Sequence, residues 1–328
     1  MIKLSILIPC YNVESYVGKT IDSLRRQLCQ DVEFIFVNDG STDNTQELIS
    51  AFAATDKRAV VINKQNEGVS AARNDAVRIA KGKYVFLLDG DDYLSDNAVE
   101  IICRTIERDD SDLLISNINI IKDGGCIYPY NHKIAAGCYT PHDLYRNCKS
   151  FPIPPQLVYK KEIIDRHKIL FDPTIHSGEV YLFTVQFMQY ALRVSVILDR
   201  FYNYVQRGDS AVHKPNYSKD ITAVNAIDKL YDYGKEFAKT DSFNATAFAT
   251  TAAVTYVKYV HNRDNKAEEV VRAVLKNRNF YHAMMRTAFG FHRNPKKRLL
   301  ALYMAFTQLW GFRTLVRINK LINRKNNV

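Results

Sequence analysis

The sequence predicts an α/β protein built on a doubly wound mixed sheet, followed by an all-α extension. Three observations carry that prediction. Up to about residue 117, short β-rich runs alternate with segments of helical period. The runs are continuously apolar, as strands covered on both faces are. From about Ser218 the chain becomes Ala-rich, nearly free of proline and helical in spacing throughout. The 328 residues suit one large or two modest domains. The expected organisation is a domain over 1–217, with halves 1–117 and 118–217, and a helical region over 218–328.

The expected strands run from Leu4 to Ile8, Val32 to Val37, Ala59 to Asn63, Tyr84 to Asp89 and Asp112 to Ser116. Between the first two, Val17, Ile21, Leu24 and Leu28 recur at helical spacing. Ser41 or Thr42 caps a helix reaching Phe52, Ser70 opens another that stops at Lys81 before Gly82, and Ser95 opens the next. Further on, Gly124, Gly125 and Pro129 mark a hairpin or loop, FPIPPQ a rigid extended stretch, and Gly178 to Ala191 a helix with Val180, Phe183, Phe187 and Ala191 on one side.

Composition excludes several classes. Hydrophobic residues at 47% and charged residues at 24% leave no room for a disordered, collagen-like or coiled-coil chain. Six cysteines without a C-x-x-C pair indicate neither zinc nor a disulfide framework, so reduced thiols and a cytoplasmic location are expected. The opening MIKLSILIPCYN lacks the basic region, longer apolar stretch and cleavage site of a signal peptide. Net charge is +10, and much of it gathers at the end, where eight Lys and Arg residues between Lys296 and Lys325 meet no acidic residue. The apolar stretch LLALYMAFTQLWGF among them is shorter than the roughly 20 residues of a membrane span. Beginning at Pro295, this segment suits a helix lying on an anionic membrane surface through Phe306, Trp310 and Phe312, and equally one docked on the preceding helices. Without an aromatic platform or binding motif beside the charge, nucleic acid is not an expected partner.

In an open α/β sheet, ligands bind beyond the carboxyl ends of the strands. There the first strand meets Pro9-Cys10-Tyr11-Asn12, with no glycine loop of dinucleotide-binding or Walker type. Asn38-Asp39-Gly40-Ser41-Thr42-Asp43 follows the second, Asn66-Glu67-Gly68 the third with Arg73-Asn74 in the next helix, and Asp89-Gly90-Asp91-Asp92 the fourth. Each segment taken alone also reads as a turn, a cap or a surface residue. Three carboxylates within four residues repel one another, however, and a divalent cation is the economical explanation.

Together ILIPCYN, FVNDGSTDNT and NEGVSAARNDAVRIAKGKYVFLLDGDD closely resemble the nucleotide-sugar-binding half of glycosyltransferase family 2, inverting enzymes of the GT-A fold. The resemblance is strong over residues 1–117, weaker to 215, and absent beyond 218. It implies that Pro9 and Tyr11 line the base, with Tyr11 stacked on uracil. Asp39 would accept from the uracil imide, Arg73 would lie near base and diphosphate, and Asp89 would face the ribose. Asp91, assisted by Asp92, would hold Mg2+ or Mn2+ on the diphosphate. Asn38 stands where many members carry an aspartate.

An inverting transfer needs a base for the acceptor hydroxyl. The family commonly offers Gly-Glu-Asp before an aromatic, and this chain has Gly178-Glu179-Val180-Tyr181, so the role falls on Glu179, with Asp172 as a substitute. Glu179 also reads as an acidic first-turn residue favoured by the helix dipole. Tyr202, Tyr204, Arg207 and Ser210 resemble the segment closing the family's site, with Arg207 reaching toward the diphosphate. His176 and His213 flank these segments and receive no role. The implied activity is transfer of a sugar from a nucleotide-sugar, UDP-linked by expectation, to a hydroxyl of a glycan or lipid-linked glycan. The substitution at Val180 keeps open a catalytically inactive member that binds nucleotide-sugar or acts as a scaffold.

Overall fold

The structure, a computed structural model, describes residues 1–122, 125–131, 134–147, 157–176, 178–206, 222–240, 243, 272–274 and 276–289. The expected boundary at 218, the FPIPPQ stretch, Arg207, Ser210, His213 and the basic segment from Pro295 lie outside the described residues. Two compact units divide the chain: residues 1–144, 152–173 and 179–208 form the first, and 145–151, 174–178 and 209–328 the second.

The elements in chain order are β1 (Leu4–Cys10), α1 (Glu14–Arg25), β2 (Val32–Asp39), α2 (Thr45–Thr55), β3 (Ala59–Lys64), α3 (Val69–Ile79), β4 (Tyr84–Leu87), β5 (Tyr93–Leu94), α4 (Ala98–Asp109), β6 (Leu113–Lys122), β7 (Cys126–Tyr130), β8 (Gly137–Tyr139), α5 (Pro141–Asn147), β9 (Leu157–Lys160), α6 (Lys161–His167), α7 (Glu179–Met188) and β10 (Val194–Val205). They build one ten-stranded sheet with the order β3-β2-β1-β4-β9-β6-β10-β5, β7 pairing with β6 and β8 with β10. β1 pairs in parallel with β2 and β4, and β2 with β3. The strand expected at 112–116 does not continue that parallel run: β9 lies antiparallel between β4 and β6, and this makes the sheet mixed.

The apolar runs behave as their composition demands where the sheet is covered. Every residue of β2 is buried, and Leu4, Ile6, Ile8, Phe34, Phe36 and Phe86 join Val17, Ile21, Leu24, Ile49, Phe52 and Ile102 in one core cluster. β3 departs from the expectation of burial on both faces. It forms the sheet edge, and Val60 is 40% exposed.

Helix ends shift for local reasons. α1 stops at Arg25, and Leu28, read as its last apolar position, is exposed. α2 begins at Thr45 behind Asn44, because Ser41 and Thr42 bond across to Asn12 instead of capping it. α3 begins directly after Gly68, whose φ of +91° suits glycine, and ends at Ile79. α4 begins at Ala98 behind Asn97, with Ser95 contributing only its carbonyl to the Ala98 N–H. α7 is buried on nearly every side, Tyr181, Leu182 and Val185 as well as Phe183 and Phe187, so the one-sided stripe expected there is too narrow.

In the second unit, Tyr145 packs against Phe237 and Phe243 with ring centroids 4.6 and 5.6 Å away. The Asn277 and Asn279 side-chain amides donate to Asp228, linking helices Thr222–Tyr233 and Arg278–Phe289. No helix among the described residues is long and apolar enough to cross a membrane.

Candidate functional site

The site is assembled where β1, β2 and β4 end together. The segments after β1 and β2 interlock: Asn12, at φ +50°, donates its N–H to Ser41 Oγ (3.1 Å) and accepts the Thr42 N–H on Oδ1 (2.8 Å). The Val13 N–H donates to Thr45 Oγ1, the Glu14 N–H to Asp43, and the Asn44 N–H to Glu14. These exchanges satisfy first-turn donors of α1 and α2 with side chains from the opposite loop. Asn38 sits beneath them, buried, donating from Nδ2 to Gln46 (3.2 Å) and Asn63 (3.1 Å) and accepting the Ser41 N–H. A carboxylate there has no proton to give either amide oxygen, which gives a physical reason for asparagine at this position. Tyr11 stands 50% exposed at the rim, and Pro9 pairs in register with Val37.

Asp39 is only 3% exposed, and both carboxylate oxygens accept backbone donors, Glu67 N–H at 2.9 Å and Gly68 N–H at 2.8 Å. It therefore ties the end of β2 to the start of α3. Gly40 makes the approach possible: a Cβ on it would lie 2.7 Å from Asn66 N, and its φ is +70°.

The acidic turn after β4 is packed from behind. A Cβ on Gly90 would meet Cys10 Sγ at 2.7 Å and Pro9 O at 3.1 Å, so only glycine lets the turn rest on the end of β1. Thr20 of α1 donates its hydroxyl to Gly90 O (3.0 Å) and Asp92 O (2.7 Å). Asp92 is 1% exposed, accepting the Tyr202 hydroxyl (2.5 Å) on Oδ2 and the Val205 N–H (2.8 Å) on Oδ1. Asp89 and Asp91 are partly exposed, and one oxygen from each of Asp89, Asp91 and Asp92 lies within 4.8 Å of the others.

Burial first, then the charges of Asp89 and Asp91, push the Asp92 carboxyl well above the usual carboxylate range. Burial and the same two charges push the Cys10 thiol up. This all-oxygen cluster fits a hard divalent cation, and its own electrostatics favour added positive charge.

Arg73 stands beside it, 5% exposed. Nη2 donates to Asp89 Oδ1 and Nη1 to Glu179 Oε1, each at 2.9 Å. Burial disfavours its charge, but the two carboxylates more than offset this and raise its pKa. Phe171 lies under the guanidinium, 5.6 Å from ring centroid to Cζ. Phe171 is fixed in turn by Asn74, whose amide donates to its carbonyl and accepts its N–H, both at 2.8 Å.

Among the expected site residues, Asp89, Asp91, Asp92, Arg73 and Glu179 come together. Arg73 has both terminal nitrogens on protein carboxylates, and His176 is an exposed residue of the second unit whose N–H donates to Thr222. Thr20, Phe171 and the contacts from Asn74 to Phe171 and from Tyr202 to Asp92 had no signal in the sequence, since the partners lie 70 to 110 positions apart.

Residues 5–167 match the family model described as Glycosyl transferase family 2. The uncharacterized glycosyltransferase EpsJ of Bacillus subtilis (strain 168) is 30% identical over 229 residues, 65% of this chain and 63% of that protein. The poly(ribitol-phosphate) beta-glucosyltransferase of Bacillus spizizenii is 30% identical over 211 residues, 63% of this chain and 33% of that protein. The chain thus spans less than two thirds of either relative. Among solved structures, S. aureus TarS 1-349 in complex with UDP-GlcNAc superposes with a TM-score of 0.75 at 20% identity, covering 97% of this chain and 92% of TarS 1-349. The mannosyltransferase PcManGT of Pyrobaculum calidifontis, in complex with GDP-Man and Mn2+, gives a TM-score of 0.54 at 15% identity, covering 96% and 83%. These two likenesses are of fold, the GT-A fold. The domain over residues 5–167 belongs to glycosyltransferase family 2.

Proposed function

We propose that this protein is a metal-dependent glycosyltransferase of polysaccharide biosynthesis that moves a sugar from a UDP-sugar to a hydroxyl of a glycan or lipid-linked glycan, with inversion. The observation that carries this reading is the carboxylate cluster of Asp89, Asp91 and Asp92 joined by Arg73 to Glu179. The UDP-GlcNAc bound in TarS and the poly(ribitol-phosphate) acceptor class named for one relative support the choice of donor and product.

The chemistry divides between the two ends of Arg73. On one side, Asp89 and Asp91, backed by Asp92, would hold Mg2+ or Mn2+, which when bound stabilises the negative charge of a departing nucleoside diphosphate. Tyr11, half exposed two residues beyond Pro9, offers a ring face for the base. Asp39 has four lone pairs and two backbone donors, leaving acceptor capacity for a base N–H. On the other side, Glu179 at the first turn of α7 accepts from Arg73 on Oε1, and Oε2 is the atom to take the acceptor hydroxyl's proton as that oxygen attacks the anomeric carbon. Attack from the face opposite the departing diphosphate inverts the configuration. Arg207 remains part of the proposal through the resemblance alone, and an anionic membrane surface through the basic segment from Pro295 with its Phe306, Trp310 and Phe312.

One observation favours a second reading, a binding or scaffold member without turnover. Val180 stands where the family carries an aspartate, and the remaining carboxylate, Glu179, is engaged by Arg73. A screen of UDP-sugars with Mn2+ and oligosaccharide or lipid-linked acceptors, scored by UDP release, separates the two. Release with at least one donor supports the transferase. Binding of UDP-sugars without release across the panel supports the scaffold.

A further inference from the structure

We infer that Tyr202 and Thr20 are positioning residues for metal binding, two hydroxyls that hold the acidic turn in shape from behind without touching the ion. The inference rests on the metal-dependent reading above.

The turn from Asp89 to Asp92 carries three carboxylates that repel one another, and its own backbone supplies one restraint, the Asp92 N–H donating to Asp89 O at 3.0 Å. The remaining restraints come from distant elements. The Tyr202 hydroxyl of β10 donates to Asp92 Oδ2 at 2.5 Å and accepts the Asp89 N–H at 3.3 Å, so one oxygen grips the first and last residues of the turn. The Thr20 hydroxyl of α1 lies 3.0 Å from Gly90 O and 2.7 Å from Asp92 O.

Both side chains are fully buried, Thr20 on a helix and Tyr202 on a strand. The strand is shaped for the task. The β10–β6 register shifts between Val196 and Arg200 and again between Arg200 and Tyr202. Beyond that irregularity Tyr202 and Asn203 pair with Leu94 and Tyr93 of β5, directly after the turn.

With both Asp92 oxygens occupied by Tyr202 and Val205, the geometry makes Asp92 a brace that sets the Asp89 and Asp91 oxygens at ion-binding distance. Partners behind the ligands orient them, and removing such a partner costs about 10 to 100-fold in metal affinity.

The test uses the full-length protein and measures Mn2+ affinity by isothermal titration calorimetry with saturating UDP, for wild type, Tyr202→Phe and Thr20→Val. Each substitution removes one hydroxyl and keeps the shape of the side chain. Thermal midpoints without metal are measured beside the affinities. The expected result is a drop of about 10 to 100-fold in Mn2+ affinity in each folded variant, with stoichiometry unchanged. A purely structural role lowers the midpoint and leaves the affinity at the wild-type value, and that result overturns the inference while sparing the metal-dependent reading. If one variant does not fold, the other decides by the same criterion. If neither folds, the hydroxyls serve the core and the inference is wrong. Wild type failing to bind Mn2+ with UDP overturns both the inference and the reading beneath it.

Discussion

Of the two strands flanking β1, β2 ends in Asp39 before Gly40 and β4 is followed by Asp89 before Gly90, and the two segments do different things. At the end of β2, Asp39 accepts two backbone N–H groups and locks the loop before α3. Beyond β4, Asp89, Asp91 and Asp92 crowd within 4.8 Å, and burial together with the charges of Asp89 and Asp91 leaves Asp92 strongly disfavoured as an anion. An acidic residue after a strand is thus ambiguous by itself. What separates a clamp from an ion site is whether the carboxylate faces only donors or also faces other carboxylates at close range.

The largest effect that sharpens this contrast is expected across Arg73 from the acidic turn. Glu179→Gln should lower kcat by about 10² to 10⁴-fold, the worth of a general base, while leaving UDP affinity near wild type. Equal losses in UDP affinity and kcat would make Glu179 a partner of Arg73 only, and wild-type turnover would move the role to Asp172.

A smaller effect, on stability, belongs to the clamp. Asp39→Asn keeps one acceptor oxygen and turns an NH2 group toward a backbone N–H, which should cost about 1–3 kcal/mol in urea unfolding. An unchanged midpoint would show that the Asp39 contacts add nothing to the fold.

The smallest effect is a slope. The folded-state pKa of Asp92 is raised by burial and by its two neighbours, so the folded chain keeps a proton that the unfolded chain releases near its ordinary value of about 4. That contribution is fully present below about pH 4 and is lost as pH rises through the raised value. Without metal, wild type should therefore lose stability relative to Asp92→Asn as pH increases from about 4 to 7. Thermal midpoints that stay parallel over this range would remove the electrostatic strain from the account.

The strand ends were legible because each is written in consecutive residues: Asn38 to Asp43, Asn66 to Gly68, and Asp89 to Asp92. The burial of β2 and β4 followed from their continuous apolar runs, and that of the edge strand β3 did not. The support behind them was not legible, since Tyr202 reaches Asp92 across 110 positions and Asn74 reaches Phe171 across 97. No local period records such a contact. The antiparallel β9 was hidden likewise, because four residues from Leu157 to Lys160 carry too short a pattern to state their direction. Ser41 and Thr42 show the converse error: good capping residues by type, they were drawn to Asn12 by the neighbouring loop.

The central claim, that crowded carboxylates serve a cation needed for transfer from a UDP-sugar, is tested most directly by removing the metal. UDP release with a responsive donor and acceptor is measured after EDTA treatment, after readdition of Mn2+, and in Asp91→Asn. The account predicts loss of release on chelation, recovery with Mn2+, and a decrease of at least about 10²-fold in Asp91→Asn that Mn2+ does not restore. Release that persists undiminished in EDTA, or in Asp91→Asn at saturating donor, would contradict it.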